Sequence, residues 1–223
     1  MIDWRRIRED LVSGRPVLLY DLDGREEETD MVFYANSIDH RSIYLMRKEA
    51  GGLICYVTSR EVADILGLPF ATELLSKIPY LQELSSRKLR YGDISPFTIY
   101  VNHINVRTGI SDRDRALTIR MLDKVVSTIE SGDVKRGREI FYKEFVSPGH
   151  VPILVGRDIR QRRGHTELSL YIAKKTGLRP SLVIVEMLDE GDSLPKDKAI
   201  KYANEKGYIF IEGVDLLREE GLI

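Results

Sequence analysis

Six carboxylates crowd the ten residues Asp21-Leu22-Asp23-Gly24-Arg25-Glu26-Glu27-Glu28-Thr29-Asp30. Like charges this dense repel one another, which costs stability unless water, a cation or arginines neutralise them. In an extended backbone Glu26, Glu28 and Asp30 project from one face, and that spacing can build a set of oxygen ligands for a hard cation such as magnesium. The alternative is a solvated acidic turn, the usual fate of a like-charge block. The second unusual segment is basic: Gly156-Arg157-Asp158-Ile159-Arg160-Gln161-Arg162-Arg163-Gly164-His165-Thr166-Glu167. Gly164 lets the chain turn sharply, and the helix that follows presents free N–H groups near His165 and Thr166. Arginines ahead of a helix N-terminus make a phosphate site, because dipole and cation act together. The competing reading is a basic surface loop with an ordinary cap. His165 at this boundary is suited to metal ligation or to proton transfer.

Three shorter features add to these. Thr108-Gly109-Ile110-Ser111-Asp112-Arg113-Asp114-Arg115 sets hydroxyls, a glycine and arginines before a long helix; it reads as an anion cradle or as plain capping by Ser111 or Asp112. Ser147-Pro148-Gly149-His150 puts a histidine on a tight turn, where a lone histidine is more often structural. Glu186 interrupts the apolar run Val183-Ile184-Val185-Glu186-Met187-Leu188. It faces solvent or is buried with a partner, and burial would raise its pKa toward general acid or base use.

The elements that must position these residues alternate along the chain. Trp4, Ile7 and Leu11 share a helical face that stops at Gly14. Strands are expected at Val17–Tyr20, Met31–Ala35, Leu53–Thr58, Phe97–His103, Ser181–Leu188 and Tyr208–Glu212, with short strands around Pro148-Gly149 between Glu144 and Val155. Helices are expected through Ile43–Met46 up to Gly51-Gly52, after the cap Ser59, over Asp112–Ser131, over His165–Lys175 and over Lys196–Lys206. Residues 71–95 read as loop with a helical piece. No repeat or linker interrupts the pattern, so the expectation is a single α/β domain over residues 1–223, a mixed sheet covered by helices in three layers.

Composition narrows the class. Hydrophobic residues are 43% and charged residues 31% of the 223, as in globular proteins. A formal net charge of −1 gives no reason to expect nucleic-acid or membrane-surface binding. The N-terminus has no apolar signal core, and no apolar run nears the roughly 20 residues that span a bilayer, so the expectation is a cytoplasmic soluble protein with no membrane partner. The one cysteine, Cys55, excludes an intrachain disulfide and reads as a small core residue, its contact with a substrate left open.

Taken in order, Arg25-Glu26-Glu27-Glu28-Thr29-Asp30-Met31, Leu53-Ile54-Cys55, Thr108-Gly109-Ile110-Ser111 with Asp114-Arg115-Ala116, Pro148-Gly149-His150, Gly164-His165-Thr166-Glu167 and Val183-Ile184-Val185-Glu186 resemble the 3,4-dihydroxy-2-butanone 4-phosphate synthases of riboflavin biosynthesis. The likeness runs from about residue 17 to the end, and the ordered set is specific where each motif alone is not. It implies a lyase that converts ribulose 5-phosphate to a four-carbon phosphate and formate. It also implies Glu26 and His165 as ligands to magnesium, with manganese as the alternative, and no organic cofactor. By the same resemblance Arg25, Glu26, Asp30, Thr108, Arg162, Arg163, Gly164, His165, Thr166 and Glu186 contact substrate, and His150 and Glu186 are needed for catalysis. The family is a homodimer with sites at the subunit interface, so His150 is expected to serve the partner's site. Its bifunctional form adds a GTP cyclohydrolase II domain, for which this chain ends too soon. The chain departs from the family pattern at Glu27, Thr29 and Ser147, over Arg47–Gly52, and at Asn102, where aspartate is common.

In the chemistry so implied, a divalent cation chelated by the sugar's carbonyl and hydroxyl oxygens acidifies the adjacent C–H and stabilises an enediolate. Loss of water, a skeletal shift and expulsion of C4 as formate follow. Glu28 or Asp30 is the expected base, on same-face spacing with Glu26. Two alternatives stand beside this: a metal-dependent phosphosugar isomerase that stops at the enediolate, and a nucleotide- or RNA-binding module using Arg157–Arg163. Only the lyase releases formate, and the acidic loop opposes a polyanion.

Overall fold

The structure, a computed structural model, describes residues 2–223. Seven strands form one sheet: β1 (Val17–Tyr20), β2 (Thr29–Tyr34), β3 (Cys55–Thr58), β4 (Phe97–His103), β5 (Phe145–Val155), β6 (Ser181–Glu186) and β7 (Ile209–Glu212). Their order is β4-β5-β3-β6-β2-β1-β7. Pairing is mixed. β2 and β3 flank β6 antiparallel, whereas β1 pairs β7 and β3 pairs β5 in parallel. The expected α/β architecture of a mixed sheet covered by helices is therefore what the chain adopts.

The inner strands are apolar on both faces, as a sheet covered on both sides requires. Alternate residues go to opposite cores. Leu18, Met31, Phe33, Tyr56, Val183 and Val185 pack into one, against the helices Asp112–Glu130 and Val134–Glu144. Val17, Leu19, Val32, Cys55, Leu182 and Ile184 pack into the other, against the helices Trp4–Val12, His165–Thr176 and Gly213–Glu219. Leu168 and Ile172 of the helix His165–Thr176 are fully buried there, each contributing about 1.5–3 kcal/mol of apolar transfer. That burial clamps the helix on the sheet and so fixes where its N-terminus lies.

Two expectations need correction, and one unassigned segment proves helical. The span Glu144–Val155 is not a set of short strands; β5 runs unbroken over Phe145–Val155, with its register against β4 shifted at two places. Gly149 permits that pairing, since a Cβ there would meet the backbone of Val101 and Asn102. Residues 71–95 contain two short α-helices, Ala71–Ser76 and Gln82–Ser86, with a 3-10 turn between them, rather than one helical piece. The segment Val134–Glu144, unassigned from sequence, is a helix capped by Asp133. Its Gly137 breaks the apolar pattern but lies close against Ile129 of the neighbouring helix.

Candidate active site

The register of β2 against β6 places Asp30 directly opposite Glu186. Such a pair on one face brings two side chains within about 5 Å. Both carboxylates open onto the end of the face covered by the helix His165–Thr176, beside that helix's first residue. Here a cavity of about 110 Å³ is lined by Glu26, Glu28, Asp30, Cys55, Arg162, His165, Thr166 and Glu186, with Leu89, Tyr91, Ser95, Pro96 and Phe97 across its other side.

The acidic loop reaches the cavity by a turn, not by the extended path assumed from spacing. Glu27 takes a left-handed φ of 59°. The Asp21 carboxylate organises the turn by accepting from the backbone N–H of Glu26 and of Glu28, both at 3.1 Å, and from Arg25 at 2.9 Å. The three acidic side chains converge all the same. Glu28 is then fixed from the far side by the Ser193 hydroxyl, which donates to it at 2.6 Å.

His165 sits at the centre. Its Nε2 lies 3.1 Å from the Glu28 carbonyl oxygen and its Nδ1 lies 3.3 Å from Glu26 Oε2. An N–H donated to the carbonyl fixes the tautomer and leaves Nδ1 facing the Glu26 carboxylate, the outer-shell arrangement that orients a ligating histidine. Two ligands at right angles on an ion with bonds near 2.1 Å stand about 3 Å apart, so this nitrogen and oxygen fit one small cation. Asp21, Glu26 and His165 offer three ligand atoms mutually within 4.8 Å. Arg25 pairs with both carboxylates, with Glu26 at 2.6 Å and Asp21 at 2.9 Å, but Asp21 also accepts two backbone N–H bonds that hold the turn, so Glu26 and His165 are the better pair.

Charge in the cavity is strongly perturbed. Burial alone would lower the His165 pKa, but the surrounding carboxylates, Asp30 foremost, outweigh it and raise it to about 9. Burial pushes Glu26 up, yet hydrogen bonds from His165 and Tyr91 and the Arg25 charge hold it well below the usual carboxylate range. Asp30 goes the other way: burial, added to by its carboxylate neighbours, lifts it well above its ordinary value. Its Oδ1 is buried without a hydrogen-bond partner. Glu186 is also raised by burial. The site thus holds one firmly ionised carboxylate and two carboxyl groups held ready to carry protons, the separation that acid–base chemistry uses.

Glycines admit two of these groups. Gly52 lies so close to Glu186 that a Cβ would come within 2.6 Å of its carbonyl oxygen. Leu53 N–H meanwhile donates to Glu186 Oε2 at 2.8 Å. Gly164, at the N-terminus of the helix His165–Thr176, lies between two guanidinium groups; a Cβ there would come within 2.6 Å of both Arg162 and Arg25. Arg162 is buried against Glu167, whose carboxylate also accepts from the N–H of Gly164 and of Arg157.

Of the residues expected from sequence, Glu26, Glu28, Asp30, Arg162, His165, Thr166 and Glu186 line one cavity, and Arg25 and Gly164 lie against it. Arg163 instead lines a separate hollow with Asp21, Asp23 and Glu212. Thr108 binds Asp114 within its own turn. His150 is exposed on β5, its backbone N–H donating to Asn102 Oδ1 at 2.8 Å and its Nδ1 3.1 Å from Asn102 Nδ2. Sequence reasoning passed over Asp21, Tyr91, Asp93, Glu167 and Ser193. Asp21 carried a signal as the first carboxylate of the acidic block, and Glu167 as the last residue of the Gly164-His165-Thr166-Glu167 motif; the other three carried none.

A sequence model of the 3,4-dihydroxy-2-butanone 4-phosphate synthase family matches residues 5–219. The 3,4-dihydroxy-2-butanone 4-phosphate synthase of Archaeoglobus fulgidus is 41% identical over 211 residues, 90% of this chain and 87% of its own length. That of Methanothermobacter thermautotrophicus is 40% identical over 216 residues, 93% and 91% of the two chains. A crystal structure of 3,4-dihydroxy-2-butanone 4-phosphate synthase in complex with two magnesium ions superposes with a TM-score of 0.76 at 25% identity, covering 96% of this chain and 94% of that one. With that match spanning the acidic loop, the Gly164 turn and β6 together, the chain belongs to the 3,4-dihydroxy-2-butanone 4-phosphate synthase family.

Proposed function

We propose that this chain, acting as one domain, converts ribulose 5-phosphate to 3,4-dihydroxy-2-butanone 4-phosphate and formate in riboflavin biosynthesis. In this reading it binds magnesium, with manganese as a substitute, through Glu26 and His165, and works as a cytoplasmic homodimer. The observation that carries the reading is the convergence of Glu26, Glu28, Asp30, Glu186 and His165 on one cavity, beside two arginines at a helix N-terminus.

Arg25, Arg162 and the N–H groups of His165 and Thr166 at the helix N-terminus hold the phosphate, where guanidinium forks and helix dipole act together. That anchors one end of the sugar and sets its ketone toward the acidic cluster. Glu26 and His165 would hold a divalent cation, which would supply Lewis-acid charge to make the C–H beside the ketone more acidic. Glu28, oriented by Ser193, and Asp30, whose burial favours the protonated form, exchange protons with the carbon and hydroxyls of the substrate. Glu186 lies directly opposite Asp30 on the neighbouring strand and is held by the Leu53 N–H, which keeps it within reach of the same atoms. His150 is held by Asn102 on the exposed first half of β5 and lines no part of its own chain's cavity; in this reading it is offered to the cavity of the partner subunit.

Ribulose 5-phosphate labelled with ¹³C at C4 tests the reaction. Label in formate supports the lyase. Label retained in a five-carbon phosphate would show that the chain stops at isomerisation.

A further inference from the structure

The segment 87–96 leads from the helix Gln82–Ser86 into β4 and contains no helix or strand of its own. It is tied to the site at three points. The Tyr91 ring lies 4.7 Å from the Arg25 guanidinium and lines the cavity together with Glu26. Asp93 Oδ2 accepts from Arg25 Nε at 3.1 Å and from Nη2 at 2.7 Å. The same oxygen lies 3.7 Å from Arg162 Nε, a buried donor that has no hydrogen-bond partner.

One carboxylate oxygen therefore sits between the two guanidinium groups that flank Gly164. It satisfies Arg25 and leaves Arg162 short of an acceptor. A phosphoryl group, with three oxygens, has acceptors for both. The cavity beneath is about 110 Å³, well under the roughly 300 Å³ at the small end of ordinary ligand pockets. Leu89, Tyr91, Ser95, Pro96 and Phe97 supply one side of it, so entry of a phosphosugar requires the segment to move.

We infer that Asp93 is an intramolecular stand-in for the substrate's phosphate, which straps the segment 87–96 over the site and yields its place to the incoming phosphate. The inference rests on the reading of Arg25, Arg162 and Gly164 as the phosphate site. It makes Asp93 a specificity residue as well as a latch. A sugar without phosphate has no charge with which to displace a carboxylate paired to Arg25, whereas a phosphate dianion does. An internal competitor lowers apparent affinity by the fraction of time that it occupies the site.

The test uses inorganic phosphate and the full chain. Calorimetry should show that Asp93→Asn binds phosphate at least about threefold more tightly than the wild type, because the competitor is gone. Hydrogen exchange of the wild type, which needs no variant, should quicken in residues 87–96 when phosphate is added. Weaker or unchanged phosphate binding by Asp93→Asn, no phosphate binding by either protein, or phosphate-induced protection of residues 87–96 overturns the inference. Neither readout involves turnover. A chain that releases no formate yet passes both arms would lose the lyase reading and keep this one.

Discussion

Gly52→Ala is the substitution with the sharpest geometric consequence. A Cβ at residue 52 would lie 2.6 Å from the Glu186 carbonyl oxygen and 2.8 Å from its Cβ, and closer still to the carboxylate. Carbon atoms rest about 3.5–4.0 Å apart, so the Gly52 backbone and the end of β6 must part by about 1 Å. The shift strains or breaks the bonds from Gly52 N–H to the Glu186 carbonyl, 3.0 Å, and from Leu53 N–H to Glu186 Oε2, 2.8 Å. At about 1 kcal/mol for each bond, within the 1–3 kcal/mol typical of overpacking, a stability loss of about 2–3 kcal/mol is expected. Turnover should fall further than stability suggests, because misplacing a reacting group by about 1 Å costs on the order of 100-fold. Urea unfolding gives the first quantity and formate release from saturating ribulose 5-phosphate gives the second. Wild-type values for both would refute the claim that Glu186 needs a glycine beside it.

Other perturbations address different parts of the site. Glu167→Ala removes the carboxylate that neutralises the buried Arg162 guanidinium, and denaturant unfolding should report a loss of about 3–5 kcal/mol. Ser193→Ala frees Glu28 from its hydroxyl anchor; kcat should drop about tenfold with magnesium affinity unchanged, and equal turnover would remove Glu28 from the proton chemistry. The His165 pKa is raised to about 9 by the surrounding carboxylates, so below that pH the ring must release a proton before it can ligate. Magnesium affinity measured calorimetrically should therefore rise about tenfold per pH unit from pH 7 to pH 9 and level off above, and a flat profile would argue against His165 as a ligand.

What could be read from the sequence divides along physical lines. Strands such as Val183–Val185 and helices such as Asp112–Glu130 were legible because burial on one face or two imprints a period on the residues themselves. The convergence of Glu26, Glu28 and Asp30 was also legible, though for an incomplete reason. The backbone between them turns, with Glu27 left-handed, and Asp21 rather than strand geometry holds the turn together. Asp93 and Ser193 could not be read at all. Each meets its partner across a long stretch of chain, Arg25 for the first and Glu28 for the second, and nothing near either in sequence marks it. Gly52 carries its meaning only through Glu186, which the sheet order brings beside it from the far end of the chain. The helix Val134–Glu144 was hidden because Gly137, a poor helix former, is tolerated there where it lies against Ile129.

The most direct test of the central claim is a formate assay on the purified chain with ribulose 5-phosphate and magnesium, repeated with EDTA and with Glu26→Gln. Formate released with magnesium, absent with EDTA and sharply reduced in Glu26→Gln, is the result this account predicts. A folded chain that releases no formate with magnesium present, or that releases it equally well in EDTA, would contradict it.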